Sequence, residues 1–190
     1  MIFRLLILFS LLGFFGHAQS NGSADYVSWN EHYQLEWADF QGNTEGNYIM
    51  AAATSYKIDL LPESVLVDEN DQIQGYEKLT VVANFYKKTS WHTTNSQHIL
   101  KHERLHFDIA ELFARKIRKR FSELKKGKQA TFTVYQDAFN LFWKQCRKMQ
   151  KQYDLETNHG GKNEVNELWQ ARILQELESL GAFKETHSAK

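Results

Sequence analysis

The chain has a single cysteine, Cys146, a single proline, Pro62, and no excess of charge of either sign. One cysteine rules out an intrachain disulfide framework and any zinc ribbon built on thiolates. The scarcity of proline, with only 10 glycines in 190 residues, excludes collagen-like and linker-rich architectures. The 23 basic residues balance the 23 acidic ones, so whole-chain charge does not favour a nucleic-acid partner. Hydrophobic residues at 42% and charged residues at 24% are ordinary for a globular chain and too apolar for a disordered one. The length suits one domain with a buried core.

The one pronounced apolar run is at the start, MIFRLLILFSLLGFFGHA over residues 1–18. Arg4 supplies a positive leading region. An apolar stretch follows, and Gly16 and Ala18 are the small residues expected before a cleavage point. The run falls short of the about 20 residues needed to span a bilayer. It reads as a secretory signal peptide, with a periplasmic or extracellular destination and no stable membrane anchor after cleavage. Residues 19–32 read as a flexible leader, 33–182 as the folded domain and 183–190 as a tail.

Residues 51–60 and 77–90 are rich in β-branched and aromatic side chains with partial alternation and predict strands. Pro62 and the acidic stretch 68–71 mark the connection between them. After Trp91 the apolar period becomes helical. One long helix is predicted over 97–126, capped by Asn95 or Ser96 and stopped at Gly127. Two more follow over 135–153 and 162–180. Strands first and helices afterwards make an α+β fold, a small mostly antiparallel sheet followed by three helices.

The chemistry concentrates at His102-Glu103-Arg104-Leu105-His106. Two histidines at i and i+4 stand one above the other on a helix face and can grip one metal ion, with the intervening glutamate beside it as general base. The pair lies on the apolar stripe of the long helix, between Ile99 and Ala110, so its imidazoles face the interior and need partners there. A catalytic zinc site keeps three protein ligands and one open position. Asp108 is about 200° around the helix from His106, Glu111 about 180° from His102, and Glu123 about 25 Å further along the axis, so none completes the site. The second helix, returning antiparallel over about 27 Å, brings residues 153–161 back to the pair. His159, flanked by Gly160 and Gly161, is the preferred third ligand, with Asp154 and Glu156 as alternatives. Tyr153 is a candidate donor to an oxyanion. Asp108 or Asp154 is a candidate to orient a ligand histidine. His98 and Cys146 are expected to be bystanders.

Residues 111–128 hold eight Lys or Arg against two Glu. They read as a solvated face whose cations suit a helix C-terminus, with docking to an anionic polysaccharide or membrane surface as the alternative.

Three segments together, Trp37-Ala38-Asp39-Phe40-Gln41-Gly42, His102 to Asp108 and Tyr153 to Gly160, resemble a bacterial domain of unknown function described as predicted secreted zinc-dependent proteases. The likeness covers about residues 33–180. It implies a zincin-like fold with zinc on His102, His106 and His159, Glu103 as the catalytic carboxylate, and a peptide or protein substrate. By analogy with that fold, the strand near 77–86 would pair with an extended peptide. The alternative is a non-catalytic envelope protein with a structural metal site.

Overall fold

The computed structural model describes residues 25–45 and 50–185, so the expected signal peptide lies outside the described residues. The fold is α+β, a small antiparallel sheet followed by three helices. Strand β1 spans Tyr26–Ser28, β2 Ala52–Ala53, β3 Tyr56–Leu61, β4 Thr80–Tyr86 and β5 Trp91–His92. Helix α1 spans Gln97–Lys126, α2 Phe132–Thr157 and α3 Asn163–Ser179.

The main sheet has the order β1-β4-β3, and β2 and β5 form a separate two-stranded ribbon. β4 is central. Val81 faces Leu60 of β3, and Phe85 faces both Tyr56 of β3 and Val27 of β1. Its sequence TVVANFY is buried throughout its interior, as expected of a strand covered on both sides. This corrects two expectations. β4 is flanked by β3 along Thr80 to Phe85 and by β1 at Asn84 to Tyr86, so it is the central strand and the edge strands are β1 and β3. Residues 26–28, expected within a flexible leader, are a strand. Trp29 follows it, with its indole N–H donating to Asp108 (2.8 Å). A strand this short carries little alternation of its own, and its pairing with β4 fixes it.

α1 begins and ends where its periodicity indicates. Ser96 caps it, accepting from the Ile99 amide, and Gly127 closes it. Burial along α1 is broader than one stripe: Ile109, Ala110, Leu112, Phe113 and Ala114 are all buried. β3 and β4 cover one side of the helix while α2 and α3 cover the other. The basic stretch is likewise only partly solvated. Arg115 and Arg118 are buried and both pair with the buried carboxylate of Glu111, at 2.8 and 2.6 Å.

The segment Trp37 to Gly42 serves packing. Asp39 accepts from the Tyr33 hydroxyl and the Glu36 amide. Phe40 sets its ring edge-on to Phe85, with centroids 4.9 Å apart. Gly42 donates its amide to Ser90 so closely that a Cβ would sit 2.8 Å from that carbonyl oxygen. No helix among the described residues is long and apolar enough to cross a membrane.

Candidate metal centre

α2 returns antiparallel to α1, and the two helices present matching ladders of side chains. His102 faces Asp154, and His106 faces both Asp154 and Gln150. The His102 and His106 rings stand at right angles with their Nε2 atoms 3.2 Å apart. Asp154 Oδ1 lies 3.2 Å from one and 3.0 Å from the other.

This triangle is hard to satisfy with protons. If both imidazoles carry hydrogen on Nε2, the two N–H groups confront each other. If only one does, the other lone pair meets the carboxylate oxygen. A cation between the three atoms satisfies every side. Ligand atoms around a tetrahedral ion with bonds of about 2.0–2.1 Å lie about 3.3–3.4 Å apart, close to the observed sides. His102, His106 and Asp154 thus form a group that fits a metal ion. The local field agrees. Burial alone would raise the Asp154 carboxyl, but hydrogen bonds from His102 and His106 outweigh it and hold it well below the usual carboxylate range. Burial would lower His106, yet its hydrogen bond to Asp154 and the charge of Glu103 hold it above its ordinary value.

Asp154, one of the alternatives weighed for the third ligand, therefore takes the place expected of His159. His159 stands one step outside, with Nδ1 3.7 Å from the same Asp154 oxygen and its side chain 55% exposed. The cause is local. α2 ends at Asn158 in the left-handed conformation, and His159 and Gly160 also have positive φ. This sharp reversal turns the His159 ring outward and drives Gly160 onto the pair. A Cβ at Gly160 would lie 3.0 Å from His102 Cγ, so the close backbone approach requires glycine. The Gly160 carbonyl is bonded by His98, which occupies that ring outside the metal group. Glu156, the other alternative, instead accepts from the Trp169 indole.

Glu103 is buried beside the triangle without joining it. Thr54 donates its hydroxyl to Glu103 Oε2 at 2.7 Å, and no Lys or Arg pairs with the carboxylate among the described residues. Tyr153 departs from its expected role. Its hydroxyl is buried, bonded to Asn166 Oδ1 and to the His102 carbonyl, so it faces the protein and no oxyanion. Its ring stacks on His102, centroids 4.5 Å apart, which makes it a support for that ligand. Asp108 is committed to Trp29 and does not orient a histidine. Thr54 and Gln150 escape sequence reasoning. For Gln150 a signal existed: it lies one helical turn before Asp154 and must share its face.

Residues 79–160 match the family described as a bacterial protein of unknown function (DUF922). The matched stretch contains β4, α1 and α2 and ends at Gly160, so it includes every member of the candidate metal group, as well as Glu103, Gln150 and His159. Thr54, the segment Trp37 to Gly42 and α3 lie outside the matched stretch. No curated protein and no solved structure matches the chain.

Proposed function

We propose that this chain is an exported zinc-dependent hydrolase, most simply a metallopeptidase. The observation that carries the reading is Glu103. A buried carboxylate with no cationic partner costs stability, and it lies beside three converging donors without being one of them. A structural metal site has no use for such a group, and such sites close with four protein ligands. Among the described residues three donors converge here, and Asp154 remains 27% exposed, which leaves the centre open on that side.

His102 Nε2, His106 Nε2 and Asp154 Oδ1 would hold the ion, whose Lewis acidity brings the pKa of water toward about 7 and polarises a carbonyl. Glu103 takes the proton of the attacking water and returns it to the leaving amine. Thr54 occupies Oε2, leaving Oε1 for that proton and fixing the carboxylate's orientation. Tyr153 and Gly160 confine the His102 ring between a stacked phenol and the backbone. A peptide in extended form would pair with the outer edge of β3, the longer of the two edge strands that flank β4. The leading segment 1–18 supports export.

Two imidazoles and one carboxylate also suit ferrous iron, so metal content is measured first. The expected result is one zinc per purified chain, in the wild type and in Glu103→Ala alike. Cleavage of a broad peptide library should fall about 10²–10⁴-fold in Glu103→Ala, the usual contribution of a general base. Equal cleavage by the two forms would overturn the hydrolytic role. Zinc in both with cleavage by neither would favour a structural metal, and iron would overturn the zinc assignment.

A further inference from the structure

Beyond the three donors, the structure separates the two histidines by the way each is held. His102 Nδ1 is buried with no hydrogen-bond partner among the described residues, and its ring is held by Tyr153 and Gly160. His106 is gripped at two points by one buried side chain. Its Nδ1–H donates to Gln150 Oε1 at 2.5 Å, and Gln150 Nε2 donates to the His106 carbonyl at 2.8 Å. We infer that Gln150 is a positioning residue that locks His106 as the Nδ1–H tautomer and so keeps its Nε2 lone pair aimed at the metal point. The inference rests on the metal reading of this site.

Three observations support it. Both amide atoms of Gln150 bond to the same residue, so the amide cannot rotate end for end without placing N–H against N–H and oxygen against oxygen. Gln150 is itself fixed, because it is buried and in hydrogen-bond contact with Cys146, which also meets Tyr56. Finally, among the described residues no other side chain bonds the outer nitrogen of either ring, so the tautomer of His106 depends on this amide. Ligand histidines more often face a carboxylate or a main-chain carbonyl. A neutral amide orients the ring without adding negative charge to a centre that already holds Asp154 and Glu103.

The test uses the full exported chain as wild type, Gln150→Leu and Gln150→Glu, the last of which keeps an acceptor at the same place. Long-range proton–nitrogen NMR on the metal-free protein, at a pH above the loss of the second His106 proton, reads the His106 tautomer. Competition with a chelating dye reads zinc affinity. Gln150→Leu should lose the single Nδ1–H form and bind zinc about 10–100-fold more weakly, the usual cost of an outer partner. Gln150→Glu should retain the tautomer and stay within about tenfold of wild type. Should Gln150→Leu not fold, Gln150→Ser, too short to reach Nδ1, takes its place. An unchanged tautomer or unchanged zinc affinity in Gln150→Leu or Gln150→Ser would overturn the inference. A wild type with the Nδ1–H tautomer that takes up no zinc would instead overturn the metal reading and leave the clamp standing.

Discussion

Asp154 sits in the last turn of α2 and His159 just past its end, and their exchange of roles makes a direct residue-scale prediction. Asp154 Oδ1 touches both imidazoles, whereas His159 reaches only Asp154. Asp154→Ala should therefore cost more zinc affinity than the about 10–100-fold of an outer partner, and His159→Ala should cost less. Dye competition on the two variants checks it, and the opposite ranking would restore His159 as the ligand. Cys146 offers a second check. Its side chain is fully buried, and burial, outweighing its contacts with Gln150 and Tyr56, pushes the thiol up to about 12. Thiolate is the reactive form, so a thiol reagent should leave the native chain unlabelled at neutral pH and label it once after denaturation. Rapid native labelling would show that the α2 face opens.

At the scale of elements, legibility followed how local each signal was. The bounds of α1 are written in its own cap, period and terminal glycine, and the histidine pair needs nothing beyond one helical turn. The members contributed from elsewhere were harder to read. Asp154 and Gln150 enter only through the rotation of α2 about its axis, and Thr54 only through the junction of β2 and β3. Tyr153 was legible as a neighbour of the site, but the direction of its hydroxyl depends on Asn166 in α3. β1 was invisible because its pairing partner lies far along the chain. The reversal after α2 is the element most exposed to substitution. Gly160→Ala would place a methyl 3.0 Å from His102 Cγ in a left-handed backbone that costs an L residue about 1–2 kcal/mol. Both stability and zinc affinity should drop, read by urea denaturation and dye competition; a variant equal to wild type in both would refute the packing argument. The buried trio of Glu111, Arg115 and Arg118 should respond more strongly. Glu111→Ala removes the carboxylate that both buried guanidinium groups share and should cost about 3–5 kcal/mol in the same denaturation experiment.

For the whole molecule, the candidate metal centre joins two consecutive helices through side chains about fifty residues apart, and an ion held there would staple them. α1 contributes two donors and α2 one, and α1 is also the helix against which the sheet and α3 pack. An ion bound there stabilises only the folded chain, because the unfolded chain does not hold the three donors together. At free zinc near a thousand times the dissociation constant, that linkage is worth about 4 kcal/mol. For a chain of this size each kcal/mol moves Tm by about 2–4 °C, so zinc should raise Tm by about 8–16 °C over the chelator-treated protein. His102→Ala, His106→Ala and Asp154→Ala should each abolish most of that rise, while Glu103→Ala should keep it, since Glu103 lies outside the donor triangle. Differential scanning calorimetry with and without chelator reads all five chains on one scale. A full shift in a triangle variant would place the ion elsewhere, and a lost shift in Glu103→Ala would make that carboxylate a ligand and remove it from the role of base.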